Sequence, residues 1–367
     1  MALPKIKLLR ASSIIPSMPS SSLRRRHVVL LYASLLFGGV ACDSQTPHSF
    51  DARAVQMASP STELQHEIHA DMAFLADDQQ HGRGSGTRDE HLAALFAASR
   101  FEAIGLEPGG DNGTFLQKSL LPAPLPPRVQ QQLSPFGDPP RKETWNAVGI
   151  LRGSTAPNEV ILLSAHLDHL GIGPSVKGDT IYNGADDDAS GTAAVIALAQ
   201  ALAAGPRPRR TIVFALFGSE EIGGYGNRAF LQRPPVPLTS IVANLEFEMI
   251  GRPDPAIPEG HLWLSGYDRS NLGSELAKHG APLVKDPHTG EHFFERSDNI
   301  ALARKGIVAH TVSSFGLHKD YHQPSDELRT INFPRLTGAI NSMIEPIRWL
   351  SNTTWQPQWK SGGKPSQ

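Results

Sequence analysis

Apolar runs alternate along the chain with segments in which apolar residues recur at helical spacing. Residues 160–163 and 211–217 are continuously apolar, which is typical of strands covered by helices on both faces. Strands are predicted at residues 145–151, 160–165, 211–217, 241–249, 261–264 and 307–312. Helices are predicted at residues 63–80, 87–104, 190–204, 271–279, 298–304 and 333–350. This alternation predicts an α/β fold with a mixed, largely parallel central sheet flanked by helices.

The predicted helix at 87–104 has an apolar stripe and a clear end. Leu92, Leu95, Phe96 and Ala103 are expected to form its buried face. Gly105 follows the last helical residue, where a glycine commonly ends a helix.

The body of the chain predicts one domain rather than two, because it contains no internal repeat and no long linker. The domain is expected to span residues 61–352, followed by a disordered tail at 353–367. Residues 120–143 are rich in Pro and Gln and predict a loop that could rim a site.

The N-terminus has the features of an export signal. Arg24, Arg25 and Arg26 precede an apolar run at 28–40, which is too short to span a membrane comfortably. The run ends at Cys42 in Gly-Val-Ala-Cys, which resembles the lipobox of bacterial lipoproteins, although the usual Leu is replaced by glycine. We therefore predict a signal peptide at 1–41, lipidation of Cys42 and a flexible tether at 42–60, in an exported protein of the cell envelope or periplasm. Secretion without a lipid is the alternative.

The charge balance excludes some functions. The chain has 34 basic and 36 acidic residues, but the first 41 residues contain six basic and no acidic ones. The predicted mature chain is therefore mildly acidic, which disfavours nucleic acid or an anionic lipid surface as its main partner. A membrane contact is expected only through the N-terminal lipid. Cys42 is the only cysteine, so the mature chain has no disulfide and no cysteine-based metal site.

Polar motifs occur where the predicted strands end, which is where open α/β sheets gather their sites. The first motif contains His166 and Asp168, a pairing typical of a metal ligand and the carboxylate that orients it. The second has three consecutive acids at 186–188 before a helix. They could cap that helix, but a divalent cation would relieve their mutual repulsion. The spacing of a calcium loop is missing.

Two further motifs follow strands. Glu220 and Glu221 come directly after the apolar run at 211–217, and one could ligate a metal while the other acts as a base. Tyr321 and His322 place a hydroxyl donor beside an imidazole. Together the histidines and carboxylates form a ligand set that suits zinc, and a carboxylate bridging two ions would make a two-metal hydrolytic site.

Other hydrolase and cofactor signatures are absent or weak. The chain has no Gly-x-Ser-x-Gly nucleophile elbow and no His-Glu-x-x-His helix. Gly224 to Ala229 fits a Gly-x-Gly-x-x-Ala pattern, but it does not directly follow a strand, so a dinucleotide site is not expected.

The order and spacing of these motifs resemble the di-zinc peptidases typified by bacterial leucyl aminopeptidases and glutamate carboxypeptidase. The resemblance covers residues 63–350 and includes Glu-Met-Ile-Gly at 248–251 and Asp-Tyr-His-x-Pro-Ser-Asp at 320–326. The Gly-Arg-Gly-Ser-Gly-Thr stretch at 82–87 is also similar to exported bacterial members. The resemblance implies one catalytic domain of the zinc-exopeptidase type, with two Zn²⁺ ions.

The resemblance also implies a role for each motif residue. One zinc would be bound by His166, oriented by Asp168, and by Glu248, which the register of Met-Ile-Gly puts at the position where the family usually has Asp. Glu246 lies two residues earlier on the same strand face and is the alternative. Asp187 would bridge both ions, and the peptide bond after it is often cis in the family. Glu221 and His322 would bind the second zinc. Glu220 would be the general base, and Tyr321 would donate a hydrogen bond to the oxyanion.

The function that follows from the resemblance is zinc-dependent removal of N-terminal residues from peptides. Glutaminyl-peptide cyclotransferases share the fold and a similar site, and some relatives have lost their ligands and act as binding modules. Every expected metal position here still holds a residue able to ligate, which disfavours a binding module. Peptides are the expected partners.

Overall fold

A nine-stranded sheet forms the centre of the computed structural model, which describes residues 62–137 and 139–366. The described strands are β1 (Glu107–Pro108), β2 (Leu116–Leu120), β3 (Glu143–Leu151), β4 (Ala156–His166), β5 (Gly171–Val176), β6 (Asp179–Tyr182), β7 (Arg210–Phe217), β8 (Ile241–Phe247), β9 (Leu262–Leu264), β10 (Leu283–Lys285) and β11 (Val308–Ser313). The sheet order is β1-β3-β7-β4-β8-β11-β9-β10, with β2 also paired to β3. Strands β5 and β6 form a separate hairpin.

The centre of the sheet is parallel, as predicted. Strands β7, β4, β8 and β11 run side by side in the same direction, whereas β3 is antiparallel to β7 and β9 is antiparallel to β11. Every residue of β7 is buried. The continuous apolar runs of β4 and β7 are explained by this position, because both faces of these strands are covered.

Helices cover the two faces of the sheet. The described helices are α1 (Thr62–Leu75), α2 (Arg88–Ile104), α3 (Pro127–Leu133), α4 (Gly191–Ala203), α5 (Tyr225–Gln232), α6 (Leu272–Lys278), α7 (Asn299–Arg304) and α8 (Phe333–Asn352). Ile161 and Leu163 pack in one core with α1, α2, α4, α6 and α8. Val160 and Leu162 pack in the opposite core with α5 and α7. The described residues form one compact unit, so the predicted α/β single domain is confirmed.

The predicted apolar face of α2 is only partly right: Leu92 and Phe96 are half-buried, and Phe96 packs against the core. The fully covered positions are Glu90, Ala93, Ala94, Ala97, Ala98 and Phe101, most of them small. Leu95 is 43% exposed, and Ala103 is exposed as well. Small side chains on the inner face let the helix approach β3 closely, so size rather than hydrophobicity alone selected the face.

The tail at 353–366 is ordered, which contradicts the expected disorder. Arg210 donates hydrogen bonds to the carbonyl oxygens of Leu350 and Trp355, both at 2.8 Å. Trp359 packs against the core and donates its ring N–H to the Gly306 carbonyl at 3.1 Å. Trp355 and Trp359 both pack against the core and give the tail apolar area to bury.

Other differences concern short elements and the N-terminus. Residues 120–143 contain helix α3, and the hairpin of β5 and β6, strand β10 and helix α5 were not predicted. The predicted signal peptide at 1–41, Cys42 and the tether at 42–60 lie outside the described residues. Among residues 62–137 and 139–366, no helix is long and apolar enough to cross a membrane.

A buried histidine makes the fold sensitive to acid. His310 is fully buried; its Nδ1 lies 2.7 Å from the Ser265 carbonyl and its Nε2 lies 2.7 Å from the Ser270 hydroxyl. Burial lowers the pKa of His310 to about 4. In the unfolded chain the ring takes up a proton near pH 6.5, whereas the folded protein resists protonation until about pH 4.

We therefore expect the folded state to lose stability through His310 as the pH falls from about 6.5 to about 4. The loss should be on the order of 3 kcal/mol, because each pKa unit of difference is worth 1.36 kcal/mol. Urea unfolding at several pH values, compared with His310→Asn, measures it. The difference in unfolding free energy between the two proteins should shift in favour of the variant on acidification. A difference that stays constant with pH would contradict the assignment.

Candidate active site

The polar motifs meet at one edge of the sheet. Strands β4, β7, β8 and β11 are parallel neighbours, so the loops that follow their carboxyl ends lie together. These loops carry His166, Glu220, Glu248 and Tyr321 with its neighbours. The turn before α4 brings Asp187 to the same place.

Asp187 lies at the centre of the cluster. It is 2% exposed, and its two carboxylate oxygens face different histidines. Oδ1 is 3.1 Å from His166 Nε2, whereas Oδ2 is 3.2 Å from His322 Nε2 and 3.8 Å from His169 Nδ1. The Asp187–Asp188 peptide bond is cis, as the family resemblance implies.

The flanking acids of the triplet have a different task. Asp188 accepts hydrogen bonds from the backbone N–H groups of His166, Gly191 and Met249 at 2.9–3.2 Å. Asp186 accepts one from the Gly251 N–H at 2.8 Å. Two of the three carboxylates therefore bind backbone and hold neighbouring loops together. Asp186 also lies 3.0 Å from His318 Nε2, whereas the middle carboxylate is the one directed at His166, His169 and His322.

Asp326, the last residue of the Pro-Ser-Asp motif, supports the same turn. Its carboxylate accepts the backbone N–H groups of Asp186 and Asp187 at 3.0–3.1 Å, and it is fully buried. The motif was identified in the sequence, but this function of its last residue was not predicted.

Within residues 62–137 and 139–366, two groups of three side chains place ligand atoms within 4.8 Å of one another. The first consists of His166, Asp187 and Glu248. Glu246, the alternative to Glu248, is directed elsewhere: its carboxylate accepts the Asn299 N–H at 2.7 Å, at the start of α7. The glutamate that the Met-Ile-Gly register indicated, Glu248, is the one that lies beside His166.

The second group contains a residue that the sequence analysis missed. It consists of His169, Asp187 and Glu221. His169 Nδ1 is 2.8 Å from Glu221 Oε1, and His322 Nε2 is 3.2 Å from Glu221 Oε2. The predicted ligands of the second zinc are thus brought together, with His169 as a fourth member. Its spacing of three residues from His166 in one strand-end loop was the available signal.

The cluster leaves buried polar atoms without hydrogen-bond partners. They are His166 Nε2, both ring nitrogens of His169, Glu221 Oε1 and His322 Nε2. Buried polar atoms are rarely left unsatisfied in native proteins. These atoms surround Asp187, and histidine and glutamate are residue types that ligate zinc. A metal ion bound between them would therefore supply the partner that these buried atoms lack. The residues present therefore fit the metal that the motifs imply.

Asp168 binds the backbone N–H groups of Glu220 and Glu221. Its Oδ1 accepts the Glu220 N–H at 3.0 Å and its Oδ2 accepts the Glu221 N–H at 3.4 Å. His166 Nδ1 is 3.2 Å from the Asp168 carbonyl oxygen, whereas it is 3.7 Å from the carboxylate. Asp168 therefore orients His166 through its main chain and the Glu220–Glu221 turn through its side chain, which extends the predicted role.

The two adjacent glutamates have different electrostatics. Burial raises the pKa of Glu220 well above its usual range, and the charges of Asp298, Glu221 and Glu248 add to this effect. For Glu221 burial acts in the same direction, but His322 and His169 together outweigh it and lower the pKa to about 2. Neighbouring carboxylates whose pKa values are pushed apart are typical of an acid–base group beside a ligand.

The sequence comparison is consistent with this geometry. The sequence model of peptidase family M28 matches residues 146–345, which is more than half of the chain. The chain belongs to peptidase family M28. The membership that the motif series predicted is therefore confirmed, and the matched region contains every one of the ligand candidates described above.

The chain is similar to proteins that are named as aminopeptidases and, in one case, as a glutaminyl cyclase. A probable lipoprotein aminopeptidase of Mycobacterium tuberculosis is 31% identical over 170 residues, covering 46% of this chain and 29% of that protein. A zinc aminopeptidase of Bacillus subtilis has a similar fold, with a TM-score of 0.58 at 15% identity over 79% of this chain and 95% of that one. A glutaminyl cyclase of Porphyromonas gingivalis also scores 0.58 at 15% identity, over 79% and 98%. The chain spans between 19 and 29% of the length of the curated relatives it matches.

An aromatic cavity adjoins the M28 site. It is lined by Glu248 and Tyr321, by the apolar side chains of Met249, Trp263, Phe293 and Phe315, and by the polar residues Arg296, Ser297, Thr311 and Ser313. Trp263 stacks on Phe293 at 5.3 Å between ring centroids. Both rings line the same cavity as the candidate ligand Glu248.

Proposed function

We propose that the protein is a zinc-dependent aminopeptidase that removes N-terminal residues from peptides. The observation that carries the proposal is the convergence of imidazole nitrogens and carboxylate oxygens around Asp187, in two groups of three that could each hold a metal ion. Membership of the M28 family supports a hydrolase, and the names of the relatives support exopeptidase action.

Two zinc ions are proposed, with Asp187 between them. His166 and Glu248 would hold one ion, and Glu221 and His322 the other, with His169 beside the second. When bound, the ions polarise the scissile carbonyl and lower the pKa of water toward neutrality.

Glu220 is proposed as the general base. Its carboxylate would accept a proton from the attacking water and later deliver it to the leaving amine. Burial raises the pKa of this carboxyl, which is the direction that makes a carboxylate a stronger base. The hydrogen bonds from the Glu220 and Glu221 N–H groups to Asp168 hold the turn in place during the transfer.

Tyr321 is proposed as the donor to the developing oxyanion. Burial raises the pKa of its hydroxyl above the ordinary value, and the charges of Asp187, Glu221 and Glu248 contribute. The hydroxyl therefore keeps its proton at neutral pH and can donate a hydrogen bond. Its ring stacks on His322 at 3.9 Å, which orients both side chains.

The aromatic cavity is proposed to receive the side chain of the N-terminal residue. Its walls of Met249, Trp263, Phe293 and Phe315 favour apolar side chains. Phe315 packs edge-on against Phe293 at 5.7 Å and against Tyr321 at 5.0 Å. This continuity connects the specificity pocket to the proposed oxyanion donor.

Cellular location remains part of the proposal. Lipidation at Cys42 would anchor the catalytic domain outside the cytoplasm, and the name of the mycobacterial relative agrees with such an arrangement. No contact with nucleic acid is proposed, and peptides are the proposed partners.

A mixed set of free and N-acetylated peptides, incubated with the full chain and zinc and followed by mass spectrometry, tests the function. We expect single N-terminal residues to be lost from the free peptides, fastest where that residue is large and apolar. N-acetylated peptides and a chelated sample should remain unchanged.

Other outcomes have distinct meanings. Loss of C-terminal residues would replace aminopeptidase with carboxypeptidase action. Loss of an ammonia-sized mass from peptides with N-terminal Gln would instead indicate the cyclase, whose structural representative shares this fold. An unchanged set would favour a binding module.

A further inference from the structure

The stretch at 82–87 has no part in the chemistry described above and precedes the region matched by the M28 family model. It nevertheless lies against both loops that carry the central ligands. Gly84 pairs with His169 in an isolated parallel bridge. The Ser85 N–H donates to the His169 carbonyl, and the His169 N–H donates to the Arg83 carbonyl, both at 3.1 Å.

Arg83 connects the two loops directly. Its side chain is fully buried and donates to four backbone carbonyls. Nε donates to Leu167 at 2.9 Å, in the loop that follows His166. Nη1 and Nη2 donate to Asn183 at 2.6 Å and Gly184 at 2.9 Å, in the turn that leads to Asp187. Nη1 also donates to Leu75 at 2.6 Å, which ties both loops to the end of α1.

Ser85 adds a contact to the same loop. Its hydroxyl donates to Asp168 Oδ2 at 2.6 Å, and the other oxygen of that carboxylate accepts the Glu220 N–H. One short segment therefore contacts the residues after His166, the turn before Asp187 and, through Asp168, the Glu220–Glu221 turn.

The local backbone is shaped for this contact. Gly82 has φ 66°, and a side chain there would overlap the Tyr182 carbonyl oxygen. Arg83 itself has φ 45°, a left-handed conformation that a non-glycine residue adopts only when its surroundings enforce it. The planar guanidinium presents five donors in a fixed fork, which a lysine ammonium cannot reproduce.

We propose that the Arg83–Ser85 segment positions the metal centre, with Arg83 as the residue that sets the separation of His166 and Asp187. The inference rests on the proposed metal site. Arg83 contacts no ligand atom and is a positioning residue. Because residues that orient metal ligands typically change metal affinity by about 10–100-fold when mutated, a similar loss is expected here.

Arg83→Lys is the main test, since it keeps the charge among the carboxylates and removes only the fork. Arg210→Lys is the matched control. Arg210 is also fully buried and donates to two backbone carbonyls and to Glu159, but it begins β7 at the opposite edge of the sheet from the site. Both variants should lower the melting temperature of the metal-free protein.

Two measurements distinguish an effect on the metal centre from a loss of folding stability. One is zinc affinity, measured by competition with a chromophoric chelator, and the other is the visible absorption spectrum of the Co²⁺-loaded protein. We expect Arg83→Lys to bind zinc about 10–100-fold more weakly with an altered Co²⁺ spectrum, and Arg210→Lys to match the wild type in both. Ser85→Ala, which removes one hydroxyl, should weaken zinc binding in the same direction by several-fold, even if Arg83→Lys does not fold.

Wild-type zinc affinity and Co²⁺ spectrum in both Arg83→Lys and Ser85→Ala would overturn the inference while leaving the proposed function intact. Equal losses in Arg83→Lys and Arg210→Lys, with Ser85→Ala unchanged, would assign Arg83 to general stability and also overturn it. A wild-type protein that binds no zinc would overturn the proposed function and this inference together.

Discussion

Glu220→Gln is expected to lower kcat by about 10³-fold and to leave zinc binding unchanged. The amide keeps the size of the side chain and loses the ability to accept a proton, and general base catalysis is typically worth about 10²–10⁴-fold. The Glu220 N–H that donates to Asp168 belongs to the main chain, so the turn should survive the change.

Glu221→Gln is the matched control, because it makes the same chemical change one residue later. Glu221 lies within 3.2 Å of His169 and His322 and carries a buried oxygen without a hydrogen-bond partner. That variant should lose zinc affinity as well as turnover. Steady-state kinetics with a peptide substrate and chelator competition measure both quantities. A Glu220→Gln enzyme with near wild-type kcat and intact fold would contradict the assignment of the base.

Asp187→Ala is expected to weaken zinc binding by more than about 100-fold and to abolish turnover. Asp187 is the one residue common to both candidate ligand groups, so its loss should affect both ions. Changes to residues that merely orient ligands cost about 10–100-fold, and a shared ligand should cost more. In the metal-free protein Asp187 contacts His166 and His322, so its removal should cost less folding stability than a change that leaves several backbone donors without partners.

Asp188→Ala provides the contrast within the same triplet. Its carboxylate accepts three backbone N–H groups, and each buried donor left without a partner costs about 1–3 kcal/mol. We expect this variant to lose folding stability even without metal. Chemical unfolding of the metal-free proteins and metal analysis of the loaded ones separate the two effects. If Asp187→Ala retained both ions, the bridging role would be wrong.

The location of the site could be predicted because it depends on strand order. Parallel strands end at one edge, and the motifs followed the runs that became β4, β7, β8 and β11. Glu248 could be chosen over Glu246 because Met-Ile-Gly sets the register of the segment. Residues two apart on a strand share a face, so the face alone did not separate the two glutamates. Here Glu246 meets the start of α7.

Other features depended on contacts between distant segments. The sequence does not show that Asp186 and Asp188 bind backbone amides of other loops, since those partners lie 22–65 residues away. His169 was missed because the pair of His166 and Asp168 already explained that motif. Its spacing of three residues from His166 was the one signal available in the sequence. The function of Arg83 depends on the carbonyls of residues 167, 183 and 184, whose convergence exists only in the fold.

Errors in the fold also have physical reasons. The inner face of α2 is made of alanines because β3 is close, and a hydrophobic stripe gives no information about that distance. Arg210 helps to order the tail at 353–366. Its buried guanidinium donates hydrogen bonds to the carbonyls of Leu350 and Trp355, which lie on either side of the end of α8. Pairing between a strand and a tail about 145 residues later cannot be read from composition.

The central claim is that the protein binds zinc around Asp187, and zinc content tests it most directly. The purified wild-type chain is equilibrated with zinc, freed of excess and analysed by elemental mass spectrometry. The geometry around Asp187 predicts two zinc ions per chain, with about none retained by Asp187→Ala under the same conditions. A wild-type chain that binds one ion would remove the bridging role of Asp187, and a chain that binds none would contradict the metallopeptidase account.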